Sequence, residues 1–104
     1  MTTFDEREKG FENQFAHDEE LKFKATARRD RLLGLWAAEK LGLAGPDAVA
    51  YAKEVVVAEI EHHDVFVKIR KDFDAKGVKV TDEEIRRAMI DLMGRAIAEI
   101  KAGK

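Results

Sequence analysis

The sequence predicts an all-α protein, a four-helix bundle with a flexible or fraying N-terminal segment, and three observations carry that prediction. Proline occurs once in 104 residues, while Ala, Glu, Lys, Arg and Leu, the best helix formers, are abundant. Two capping boxes, Thr3 with Glu6 and Thr81 with Glu84, mark helix starts, because each side chain satisfies the other's orphan backbone N–H. Gly42, Gly45 and Gly77 supply stops, since glycine readily adopts the positive φ of a helix C-terminus.

The first helical stretch runs from Thr3 to Leu41, with an interruption left open at Gly10 or at Ala16–Asp18. Pro46 opens the second at a first-turn position, where its missing N–H is no loss. That helix reaches about Glu61, and Val49, Ala52, Val56 and Ile60, widened by Val55, are its expected buried stripe. The polar run Glu61-His62-His63-Asp64 is read as a short connection. The third helix covers about Asp64 to Ala75, presents Phe66, Ile69 and Phe73, and stops at Gly77. Val78-Lys79-Val80 is a brief extended linker. The fourth helix begins at the Thr81 box, with Asp82, Glu83 and Glu84 favourably placed at the positive end of its dipole. Ile85, Met89, Leu92, Met93, Ala96, Ile97 and Ile100 form its apolar face. Short links favour antiparallel neighbours in one compact body.

Composition removes several function classes. Cysteine is absent, which excludes disulfides, thiolate metal sites and thiol nucleophiles. Charged residues make up 38% of the chain but leave a net charge of only −2, which argues against general attraction to nucleic acid or a membrane surface. The first residues lack the apolar core of a secretion signal and are too acidic for a mitochondrial presequence. No window approaches the roughly 18 apolar residues of a membrane span. The expectation is a cytoplasmic monomer that reaches a membrane only through a protein partner. Serine is absent and no nucleophile–base pair stands out, so no enzyme activity is expected.

The most informative feature is an asymmetry within the first forty residues. Residues 1–20 carry Asp5, Glu6, Glu8, Glu12, Asp18, Glu19 and Glu20 against Arg7 and Lys9. The next turns invert the sign, with Lys22, Lys24, Arg28, Arg29 and Arg31 against Asp30 alone. Leu32, Leu33, Leu35 and Trp36 then begin the aliphatic core. The first eighteen residues contain no Leu, Ile or Val; their apolar content is almost wholly Phe4, Phe11 and Phe15 on one narrow helical stripe. Helix nucleation is costly, and Gly10 weakens the middle by roughly 1 kcal/mol. Residues 1–18 are therefore expected to be a partner-binding arm with three aromatic anchors, and residues 19–104 the helical body. The plainer alternative is that the three phenylalanines complete the bundle core.

Several blocks resemble the zeta subunit family of alphaproteobacterial ATP synthases. They are Phe4-Asp5-Glu6-Arg7-Glu8-Lys9, Phe15-Ala16-His17-Asp18-Glu19-Glu20-Leu21, Lys24-Ala25-Thr26-Ala27-Arg28-Arg29, the run from Leu32 to Gly42, and Tyr51-Ala52-Lys53-Glu54-Val55-Val56. Shorter echoes occur at Lys76-Gly77-Val78 and Ile85-Arg86-Arg87. The resemblance implies a four-helix inhibitor whose N-terminal segment enters a catalytic αβ interface of the synthase head, reaches toward the central stalk and blocks hydrolytic rotation. Carried over by position, the inhibitory residues would be Phe4, Asp5, Glu6, Arg7, Glu8, Lys9, Phe11, Phe15, Asp18, Glu19 and Glu20. The implied location is cytoplasmic, peripheral to the inner membrane through the synthase. The stretch from Glu59 to Phe66 departs from the family pattern, which puts the second connection in question.

Two other sites are weighed against this one. Lys22, Lys24, Arg28, Arg29 and Arg31, with Trp36 nearby, form a basic patch that suits weak ATP or ADP binding, although no Gly-rich phosphate loop is present. That patch supports the alternative function, an adenine-nucleotide-responsive binding or adaptor module. The plain reading is a basic face that pairs with Asp18, Glu19 and Glu20 or with acids on other helices, and a third is an assembly protein whose N-terminus is ordinary core. No resident cofactor is expected. His62 and His63 point about 100° apart on a helix, and Glu59–His63 is the one i, i+4 ligand pair with a histidine, so no metal site is expected.

Overall fold

A computed structural model describes residues 19–103 of the chain. Among the described residues four helices follow one another: α1 (Glu19–Lys40), α2 (Gly45–Ile60), α3 (Val65–Lys76) and α4 (Asp82–Lys101). The expected start at Thr3 and the arm of residues 1–18 lie outside the described residues.

The stops and caps act where local chemistry places them. Beyond α1, Gly42 takes φ 80°, and Leu43 N–H donates to Ala38 O at 2.9 Å, closing the last turn. Pro46 occupies the first turn of α2. The Glu61–Asp64 connection forms as expected, with His62 at φ 62°. Asp64 is the N-cap of α3, its Oδ1 accepting from Phe66 N–H at 2.9 Å and Val67 N–H at 3.3 Å. Gly77 ends α3 in the left-handed conformation. The Thr81 box is complete: its Oγ1 accepts from Glu84 N–H at 3.1 Å, and Glu84 Oε1 accepts from Thr81 N–H at 3.4 Å.

α1 packs most extensively on α2 and also on α4, while α3 bridges α2 and α4. The core gathers Leu33, Ala37 and Ala38 of α1, Tyr51, Val55 and Ala58 of α2, Val65, Ile69 and Phe73 of α3, with Val80 and Ile85. Trp36 meets Phe73 edge-on, with ring centroids 5.9 Å apart at 66°. It is thus a half-buried core aromatic. Tyr51 is buried too, and its hydroxyl donates to Asp72 Oδ2 at 2.7 Å, which Lys68 also contacts at 3.1 Å. Burial, then the bond to Asp72, raises the Tyr51 phenol well above its ordinary range, so it stays a donor. Arg70 clips the end of α3 to the start of α4, binding Asp74 at 2.8 Å, Asp82 at 3.1 Å and the Val80 carbonyl.

One expected face is right only in part: Ala52 and Val55 are buried and Val56 is half-buried, as expected. α2 buries Tyr51, Ala52, Val55 and Ala58, whereas Val49 is 50% exposed and Ile60 56% exposed. The reason is the closeness of α1. Gly34 has no side chain, and a Cβ built there would stand 2.6 Å from Ala52 Cα. Helices that approach this closely meet along their small residues, which rotates the bulkier Val49 and Ile60 outward. In α3, Ile69 and Phe73 are buried and Phe66 is half-buried with the Arg86 guanidinium 4.5 Å from its ring centre. On α4, Ile85 and Ala96 are buried, and Met89, Leu92, Met93, Ile97 and Ile100 are half-buried.

Candidate functional site

Of the residues expected to inhibit, the structure describes Glu19 and Glu20; Phe4 to Lys9, Phe11, Phe15 and Asp18 lie outside it. The two acids form the first turn of α1, where carboxylates are favoured by the helix dipole. Glu20 also reaches one turn on, to Lys24 Nζ at 3.2 Å. Both partners are well exposed, so the pair contributes well under about 1 kcal/mol.

The basic turns that follow do not act as one patch. Lys24, Arg28 and Arg31 rim a groove of ≈ 590 Å³ floored by Phe23, Ala27, Val56 and Ile100. Arg28 there holds Glu99 of α4 at 3.4 Å. Arg31 also borders a second groove of ≈ 340 Å³ with Leu35, Val49, Lys53 and Val57. Lys22 lies beside a different recess, near Glu59 and His62. Arg29 turns toward Asp30 and Glu59, with Nε to Asp30 Oδ1 at 2.7 Å and Nη2 to Glu59 Oε1 at 3.2 Å. Trp36 faces Phe73, with Lys40 Nζ 5.9 Å from its ring centre. Only Lys24, Arg28 and Arg31 of the expected nucleotide-binding set therefore share one groove.

Asp30 is the residue that sequence reasoning passed over. It looked like one acid in a basic run, yet it is fully buried. Burial pushes its carboxyl up, Arg29 draws it back and Glu59 raises it again, to about 7. A signal was present: Asp30, Leu33, Gly34 and Ala37 fall at i, i+3, i+4 and i+7, which is one helix face.

Among the described residues, no group of three His, Cys, Asp or Glu is arranged to hold a metal. The Glu59–His63 pair loses its helical register because α2 ends at Ile60, and Glu59 is engaged by Arg29. His63 instead lies 3.8 Å from Glu61. No helix among the described residues is long and apolar enough to cross a membrane.

The family model described as ATPase inhibitor subunit zeta matches residues 1–99. The chain belongs to that family. Its match takes in the Phe-spaced segment as well as the helices. A protein whose structure was solved in solution by NMR shares 42% identity with the chain. The likeness covers 81% of this chain and 99% of that one, with a TM-score of 0.70. None of the curated proteins compared matches the chain. The family description makes the chain one of a set of ATPase inhibitor subunits, which associates it with an ATP synthase.

Proposed function

We propose that this zeta-family chain inhibits the F-type ATP synthase by placing residues 1–18 at a catalytic αβ interface of the head. There the arm meets the α and β subunits and the central stalk and blocks rotation driven by ATP hydrolysis. It acts by obstruction and catalyses nothing, and it lies at the cytoplasmic side of the membrane only through the synthase. The family match across residues 1–99, which includes the arm, is the observation that carries this reading. The chemistry of the arm supports it: Phe4, Phe11 and Phe15 supply spaced anchors, and the acids around them set register and orientation. The body, with its own core, gives the arm a fixed base outside the insertion site.

The test adds full-length chain, and a chain lacking residues 1–18, to the matching synthase head. Full-length protein is expected to lower the ATPase rate and the truncated protein to leave it unchanged, with graded losses for Phe4→Ala, Phe11→Ala and Phe15→Ala. Equal rates with both chains would sink the insertion mechanism.

A second reading is favoured by one observation, the groove that Lys24, Arg28 and Arg31 share. It suits the phosphates of an adenine nucleotide, with Phe23 and Ile100 under the base. Titrating ATP into isotope-labelled protein should then move amides of residues 23–31. A flat titration at millimolar nucleotide would remove the reading.

A further inference from the structure

Arg29, Asp30 and Glu59 make a charged cluster where α1 meets α2, running from the buried Asp30 to the partly exposed Glu59, and obstruction of the synthase makes no use of it. Asp30 is fully buried on the face of α1 that carries Leu33 and Gly34. One guanidinium serves two carboxylates: Arg29 reaches Asp30 Oδ1 at 2.7 Å and Glu59 Oε1 of α2 at 3.2 Å. Asp30 Oδ2 has no hydrogen-bond partner among the described residues. From α4, Arg86 lines the cavity into which Arg29 opens, and Glu99 is taken up by Arg28. α3 packs on α2 and α4.

We propose that this cluster is a proton-operated clasp between α1 and α2, closed when Asp30 is protonated and loosened when it ionises. A proton on Asp30 lets that carboxyl donate to Glu59, leaving one carboxylate to face one guanidinium. Ionisation sets two negative charges against one positive, and a buried charge without full pairing is costly. The protonated form persists well above the ordinary aspartate value of 3.8, to about 7. A folded-state value above the unfolded one means that stability from this group is fully present below pH 3.8 and is lost as pH rises to about 7. Mild acidification therefore tightens the body and mild alkalinity loosens it, whatever partner the arm meets.

Urea unfolding of the full-length chain from pH 5 to 8, beside Asp30→Asn, tests the clasp. The ratio of the wild-type unfolding constant to that of Asp30→Asn should rise by up to about tenfold per pH unit between 5 and 7, then level off. His62→Gln/His63→Gln, a control for the exposed imidazoles, should keep that rise. Carbon-detected NMR of the Asp30 carboxyl reads the titration directly in the wild-type protein, and decides the matter even if Asp30→Asn fails to fold. A midpoint near neutral pH, with amides around residues 30 and 59 moving at the same midpoint, is the expected result. Parallel unfolding profiles, a carboxyl midpoint near its ordinary value, or a titration to which the neighbouring amides do not respond would each overturn the clasp.

Discussion

Phe73→Ala is expected to destabilise the helical body by about 3–5 kcal/mol, the usual cost of emptying a fully buried aromatic site. Phe73 sits where α1, α2 and α3 converge, and its ring supports Trp36 edge-on. Those contacts cannot be recovered by collapse without moving whole helices, because the surrounding interior is close-packed. Single domains of this size hold about 5–15 kcal/mol in total, so the variant loses a large share of it. At about 4–8 °C per kcal/mol the melting temperature falls by more than about 10 °C. Thermal unfolding followed by Trp36 fluorescence reads both the shift and the loosened ring environment. A fall of only a degree or two would show that Phe73 is not central to the core.

Gly34→Leu is the second large effect. The Cβ alone would come within 2.6 Å of Ala52 Cα and 3.3 Å of a Val55 methyl. A backbone atom cannot swing aside, so α1 and α2 must separate, and overpacking of this kind costs about 1–3 kcal/mol or more. Leucine's better helix propensity returns less than about 1 kcal/mol, so packing wins. Gly94 of α4 is the internal control, because a Cβ there meets nothing within 4 Å. Gly94→Ala should raise stability by about 1 kcal/mol through propensity. Paired urea midpoints of the two variants check this. A neutral Gly34→Leu would mean that the two helices do not meet at this point.

How much of this could be read beforehand depends on the range of the interactions. Asp64 and Thr81 cap through hydrogen bonds to residues two or three positions away, so the starts of α3 and α4 were legible. Gly42 and Gly77 stop their helices through their own backbone conformation. Family membership was legible because long blocks from Phe4 to Val56 match in order. The buried face of α2 was legible only in part: Ala52 and Val55 are buried as expected, but Val49 and Ile60 continue the apolar stripe as well on sequence as Tyr51 and Ala58, which take their place. The basic turns of α1 read as a single patch, but Arg29 is drawn toward Glu59, thirty positions away, and Lys24, Arg28 and Arg31 are not.

By itself, then, the sequence determined the four helices of the described residues, the starts of the last three and the glycine stops, because propensity, capping and glycine conformation act within a few residues, and its matched blocks determined the family. Only the tertiary structure decided which faces meet. An α2 with apolar residues around much of its circumference offers more than one stripe, and the choice falls to the closest approach, at Gly34 and Ala52. The same approach encloses Asp30 against Arg29 and Glu59, turning an acid that looked like part of a solvated surface into a buried, neutral-range carboxyl.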